Sequence, residues 1–218
     1  MKLNNLILVS ALLIIGCSNN TTTTAVLSEK TPTEQCNDNE KVEYKSTIDI
    51  INTRRSVRMY KTTPISRDTL NIIAECGIKA PSGMNLQPWE VRILDNQDMI
   101  NQMSEIYKED NQIDTTLFRN MFRNAVAVIF LGAPKNTHLF DSGLLAENMM
   151  LAAWSMGIGS CCQGGPINLL KTNPKYKFFM DKLDFPEDYE LIMCIGFGYP
   201  GDTPKPTPRN ANKIKYIE

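Results

Sequence analysis

The sequence predicts an α/β or α+β sandwich, with helices on both faces of one sheet. Two stretches, 125–131 and 190–197, are mostly apolar, the first also rich in β-branched residues, as strands covered on both faces are. More segments read as helices than as strands. One of them, 141–156, is apolar nearly all round, interrupted mainly by Glu147 and Asn148. Such a helix is buried within its domain or against a second subunit. Few buried strands among many helices resolve into layers with the sheet inside.

Residues 1–16 are set apart from this fold. Lys2 provides a positive start, and 6–15 is an apolar run broken only by Ser10. The run is too short to span a bilayer and has the size of a signal-peptide core. It leads into Leu13-Ile14-Ile15-Gly16-Cys17, which resembles the lipobox of bacterial lipoproteins. That resemblance implies cleavage before Cys17 and lipid attachment to its sulfur. From Ser18 to about Tyr44 the chain is rich in Asn, Thr, Ser, Glu and Lys, including the run Thr21-Thr22-Thr23-Thr24. Too little apolar surface exists there to offset the entropy of ordering. The expected organisation is a signal peptide over 1–16, lipidated Cys17 with a flexible tether over 17–45, and one domain over 46–218. The protein is thus expected to be exported and to face the periplasm or the cell exterior, held to the membrane by its lipid anchor only. Cys36, in the tether, reads as an incidental thiol.

Within the domain, Ser46 or Thr47 caps a short helix reaching Arg54. Ser66 caps a helix over 67–79 that sets Leu70, Ile73, Ala74 and Gly77 on one face, and Pro81 stops it. A strand follows over 89–94, a helix over 98–107, the strand 125–131 and the helix 141–156. Gly157-Ile158-Gly159 ends that helix. Beyond the glycine-rich stretch 160–166 come a helix over 167–180 and the strand 190–197. The proline-rich chain from Pro200 onward runs extended.

Composition narrows the function. Of 218 residues, 42% are hydrophobic and 22% charged, with a net charge of −1. A nucleic-acid binder would need a basic surplus, so any anion site is local. The six cysteines form no disulfide scaffold, and their spacing matches no zinc site. With His138 as the single histidine, metal hydrolysis and triad chemistry have little to work with. No metal site is expected.

A local anion site has clear candidates. Arg54-Arg55-Ser56-Val57-Arg58 sets three guanidinium groups within five residues, next to a short apolar run that can pack on a core. Guanidinium meets phosphate or carboxylate through paired hydrogen bonds. The rival reading is a solvated basic face. A second stretch is Ala80-Pro81-Ser82-Gly83-Met84-Asn85-Leu86-Gln87-Pro88-Trp89, where Asn85 and Gln87 can equally cap a turn and Trp89 reads as core. A third is Gly196-Phe197-Gly198-Tyr199-Pro200, followed by Lys205 and Arg209. Cys161 and Cys162 are adjacent; a disulfide between neighbours is strained, so they read as small packing residues. Cys76 and Cys194 sit in apolar patterns and read as buried. His138 reads as a surface residue before a helix.

These segments, in this order and together with Met156-Gly157-Ile158-Gly159-Ser160-Cys161, resemble the FMN-dependent nitroreductase family from about Ile48 to Ile217. The resemblance implies an α+β fold, a three-layer α/β/α sandwich around a mixed, mainly antiparallel sheet. It implies a homodimer with FMN at the interface, the stretch around Pro81, Ser82 and Gly83 reaching the other subunit's flavin. Arg54, Arg55, Ser56, Arg58, Asn85, Lys205 and Arg209 then line the cofactor, with Gln87, Cys161, Cys162, Gln163, Gly164 and Gly165 beside them. A backbone N–H near Gly164 faces flavin N5. The residue chemistry agrees: arginine and lysine suit a phosphate, a hydroxyl and an amide suit a ribityl chain, and glycine lets backbone approach a flat ring. The implied activity is electron transfer from a reduced donor, NAD(P)H or a substitute, to a nitroaromatic, quinone or similar acceptor. No catalytic side chain is required. The alternatives are another flavin reaction on the same scaffold, such as reductive dehalogenation, and a non-catalytic flavin-binding lipoprotein.

Overall fold

The computed structural model describes residues 46–113, 120–135 and 139–217. The expected signal peptide, Cys17, Cys36 and His138 lie outside them. Helix α1 (Thr47–Thr53) starts at Ser46, whose Oγ accepts from the Asp49 N–H at 3.2 Å. In α2 (Arg67–Ile78), Ser66 does the same for Thr69. Leu70, Ile73 and Gly77 are buried on the expected face, and Ala74 is half-buried. Asn96 caps α3 (Gln97–Asn111). That helix outruns the 98–107 expected and stops where Gln112 turns left-handed, at φ 52°.

The sheet comprises β1 (Glu90–Leu94), β2 (Ala127–Pro134), β3 (Gly159–Gln163) and β4 (Tyr189–Gly198), in the order β1-β2-β4-β3. All three ladders are antiparallel. The parallel component is one isolated bridge, Ser56 to Ser160. In β2 the period-two alternation of a strand separates two cores. Ala127, Ile129 and Leu131 face one cluster with Leu70 and Ile73 of α2 and with Leu145 and Met149 of α4 (Phe140–Ser155). Val128 and Phe130 face the other, with Ile100 and Met103 of α3, Leu170 of α5 (Gly165–Thr172) and Phe179 of α6 (Lys177–Leu183). Helices therefore lie on both faces of the sheet, as the expected three-layer sandwich requires.

Two local readings are corrected. The expected helix over 167–180 is broken into α5 and α6, with a 3₁₀ turn between them at Pro174–Tyr176. Proline lacks the N–H a continuing helix needs and pushes Asn173 to ψ 116°. The glycine-rich stretch contains strand β3, which small residues with weak strand preference do not announce; pairing with β4 creates it. Of the two cysteines expected inside, Cys194 is buried, whereas Cys76 is only half-buried on the rim of α2.

Candidate functional site

Glycines explain how the arginine segment seats on the sheet. A Cβ at Gly159 would stand 2.6 Å from Val57 Cγ2, and one at Gly198 2.7 Å from the Tyr60 ring. The bare backbone of β3 and β4 thus forms a floor into which Val57 and Tyr60 sink, both buried. The Val57 N–H donates to Ser160 O at 3.0 Å. The Tyr60 hydroxyl donates to Val57 O at 2.7 Å or Gly196 O at 3.2 Å. Burial, with Cys161 as a smaller contribution, pushes the Tyr60 phenol far above its ordinary value. It stays a neutral donor that locks the segment.

With Val57 and Tyr60 turned inward, Arg58 and Met59 are exposed between them. Arg58 donates to Ser56 O at 3.2 Å. It lines a cavity of about 530 Å³ together with Cys161, Cys162, Gln163, Gly164 and Gly165. Gln163 is buried and donates through Nε2 to Phe122 O at 3.0 Å, which anchors that wall. A Cβ at Gly164 or Gly165 would meet nothing within 4 Å, so the protein's own packing does not demand glycine there. Open space lies beside this backbone.

The other arginines stand in different surroundings. Arg54 approaches Glu147 of α4 at 3.4 Å, and its Nη1 is buried without a hydrogen-bond partner among the described residues. The same holds for Ser160 Oγ. Arg55 donates through Nη1 to Asn52 O and Arg54 O, both at 2.7 Å, and so closes the C-terminal end of α1.

Beyond β4 the chain returns to the arginine segment. Lys61 N–H donates to Tyr199 O and Gly201 N–H to Met59 O, both at 2.8 Å. This brings the start of the C-terminal arm beside Arg58. Lys205 and Arg209 further along are exposed. Arg209 donates to Thr207 O at 3.0 Å, and no described contact joins either residue to Arg54 or Arg58.

The stretch 81–87 is a separate structure. Ser82 Oγ accepts from the Gln87 N–H at 2.9 Å, and Gln87 Nε2 reaches Asn85 Oδ1 at 3.3 Å. Met84, Asn85 and Gln87 all have φ near 50°. Asp141, in the first turn of α4, accepts from the Gly83 N–H at 3.3 Å. The turn reading of Asn85 and Gln87 therefore holds locally. No residue of 81–87 is among the described walls of the cavity. Trp89 packs half-buried at the edge of a core cluster, in keeping with its reading as core.

The two adjacent cysteines are free thiols on opposite sides of β3. Cys161 is buried; Cys162 packs its sulfur 3.7 Å from Met150 Sδ. Burial, ahead of the neighbouring Cys161, raises the Cys162 thiol above its usual range, the reverse of an activated nucleophile. Cys161 is the packing residue the sequence suggested; Cys162 is exposed as a residue and only its sulfur packs, against Met150. Tyr107, Asn120, Met121 and Arg123 are among the cavity's other walls. Sequence patterns did not point to them. Tyr107 lies on the expected helix, but nothing in its pattern marks it as a wall. Asn120, Met121 and Arg123 sit in a short irregular loop with no periodicity to read.

These features carry a family assignment: an arginine segment docked on a glycine floor, an edge strand leading into Gly164-Gly165, and helices over both faces of an antiparallel sheet. Residues 51–199 match the nitroreductase family, and the chain belongs to it. A protein of Archaeoglobus fulgidus whose assigned name is NADH dehydrogenase/NAD(P)H nitroreductase is 30% identical over 162 residues, covering 71% of this chain and 86% of its own. The crystal structure of a nitroreductase with bound FMN from Desulfitobacterium hafniense superposes with a TM-score of 0.68 at 28% identity, covering 79% of this chain and 98% of that one. An iodotyrosine deiodinase of Thermotoga neapolitana is 24% identical over 191 residues, covering 79% of this chain and 98% of its own.

Proposed function

We propose that this protein is a membrane-tethered, FMN-dependent oxidoreductase. It carries electrons from a reduced donor, NAD(P)H or a substitute, to a nitroaromatic, quinone or similar small acceptor. The observation that carries the reading is the docking of Ser56 and Val57 against Ser160, which sets Arg58 and the Gln163-Gly164-Gly165 backbone on one cavity. The residues present fit a flavin nucleotide. Arg54 Nη1 and Ser160 Oγ are buried polar atoms without a partner among the described residues, an unfavourable condition that a ligand's acceptor or donor relieves. The open space beside Gly164 and Gly165 lets a flat ring lie against backbone, and about 530 Å³ is within the usual range for cofactor pockets.

Bound there, FMN supplies two-electron transfer between donor and acceptor. The protein's residues bind and orient. Arg54, with Lys205 and Arg209 from the C-terminal arm, holds the phosphate, and Arg55 adds positive charge nearby. Ser56 and Asn85 hydrogen-bond the ribityl chain. Arg58, Cys161, Cys162, Gln163, Gly164 and Gly165 frame the ring, with the Gly164 N–H donating to its edge. The active form is a homodimer in which the stretch around Pro81, Ser82 and Gly83 reaches the partner's flavin. Exposed apolar side chains support the pairing: Met84 and Leu86 in the 81–87 turn, and Phe140 and Leu144 on α4. The Gly83–Asp141 hydrogen bond ties these two segments together, and exposed apolar surface marks an interface. The same scaffold tuned for reductive dehalogenation is the second reading, favoured by the likeness to the deiodinase.

The purified protein is expected to be yellow, to bleach with NAD(P)H or dithionite, and to recolour when a nitroaromatic or quinone is added. A colourless protein that takes up no FMN overturns the proposal; a yellow one that transfers nothing reduces it to a flavin carrier. Cys17 carries the lipid anchor in this reading. Cys17→Ser is expected to move the protein from the membrane to the soluble fraction of the cells that make it. An unchanged membrane fraction would exclude the anchor.

A further inference from the structure

The loop from 120 to 125 is built around one buried amide. Asn120 is 7% exposed. Its Oδ1 accepts from the N–H groups of Phe122 at 3.0 Å and Asn124 at 2.8 Å, and its Nδ2 donates to Ala125 O at 2.9 Å. Its own N–H donates to Asn124 Oδ1 at 2.9 Å. These bonds hold Arg123 and Asn124 in consecutive left-handed conformations, at φ 56° and 64°, which residues with a side chain seldom adopt. Such backbone outliers persist only where surrounding structure over-determines them, and they concentrate at functional sites. Arg123 lines the cavity with Arg58, and no Asp or Glu is among the described walls. Arg123 has neither a hydrogen bond nor a carboxylate partner among the described residues. Two guanidinium groups in a concave, partly apolar site with no carboxylate among its described walls make it attractive to anions.

We infer that Arg123 selects the electron acceptor. The cavity takes a small aromatic anion, with its carboxylate on the Arg123 guanidinium and its ring against Tyr107 and Met121. This rests on the flavin reading above, in which Arg58 is used by the cofactor and Arg123 is not. A planar carboxylate matches the fork of a guanidinium through two hydrogen bonds, whereas the neutral amide of the same shape gains no charge-assisted bond. For a nitrobenzoate, reduction of the nitro group to nitroso takes two electrons and two protons and releases one water. NAD(P)H is the electron source.

The test compares 4-nitrobenzoate with 4-nitrobenzamide as acceptors for the full-length holoenzyme and for Arg123→Asn and Arg123→Lys. Asparagine tolerates the left-handed backbone, so the loop is retained; lysine restores the charge without the fork. The ratio of kcat/KM for acid over amide is expected to fall on the order of 10-fold in Arg123→Asn, through KM, and to recover in part in Arg123→Lys. Isothermal titration with benzoate and benzamide should show the same loss of preference, and FMN content should not change. An unchanged acid-to-amide ratio, or loss of FMN from Arg123→Asn, overturns the assignment. If the protein holds no FMN, the flavin reading fails, and the benzoate and benzamide titration still decides whether Arg123 selects anions.

Discussion

Replacing Arg54 and Arg209 together by alanine is expected to weaken FMN binding by about 100- to 10,000-fold. A hydrogen bond to a charged group contributes about 1.5–3 kcal/mol, and the double variant removes two such donors from the phosphate. The cost to the fold is small. Among the described residues the Arg54 guanidinium pairs with Glu147 at 3.4 Å, and the Glu147 side chain is 45% exposed, so water replaces the cation there. Arg209 is exposed and donates to nearby Thr207 O. Equilibrium dialysis or fluorescence titration with FMN measures the effect. Arg67→Ala is the control, since that guanidinium is occupied by Asp95 at 2.6 Å. FMN retained by the double variant as tightly as by the control would remove the phosphate from this part of the molecule.

Phe130→Ala is expected to destabilise the folded domain by about 3–5 kcal/mol. Phe130 is fully buried on β2. Its ring meets Phe122 edge-on at a centroid distance of 5.7 Å and Phe179 at 5.0 Å. Truncation leaves a cavity at the centre of one core, and the stability of a whole domain is only about 5–15 kcal/mol. The urea midpoint should therefore drop sharply, with an unchanged slope. FMN binds only the folded state in the proposed reading, so added cofactor should raise the midpoint again, by about 2.7 kcal/mol at 100 times Kd. The arginine double variant should show no such rescue at the same concentration. A loss below about 1 kcal/mol for Phe130→Ala would mean that the ring lies outside the cooperative core.

The layers were legible because burial has a period. The short, β-branched apolar run at 125–131 reads as a covered strand, which the structure places at Ala127–Pro134, and the spacing of Leu70, Ile73 and Gly77 sets them on one helical face. Capping was legible for a similar reason: the side chains of Ser46 and Ser66 satisfy N–H groups that any helix start leaves open. The signal in Asn173-Pro174 was equally local, and it marks where the expected helix over 167–180 divides. Strand β3 was not legible, because Ser160, Cys161 and Cys162 become a strand only by borrowing hydrogen bonds from β4.

The chemistry divides in the same way. Residue types and order alone determined the arginine segment, the 81–87 turn and the glycine-rich run, along with the family they define. Charge, amide and glycine act through their own covalent structure, and that is visible in a string of letters. Only the folded molecule decided which of them meet: Arg58 shares a cavity with Gly164, Arg55 closes a helix, and Asn120 bends its loop to bring Arg123 to the same wall. Those outcomes depend on contacts between residues far apart in the chain, such as Val57 against Gly159 and Gln163 against Phe122. Packing in three dimensions selects such contacts, and no local pattern encodes them.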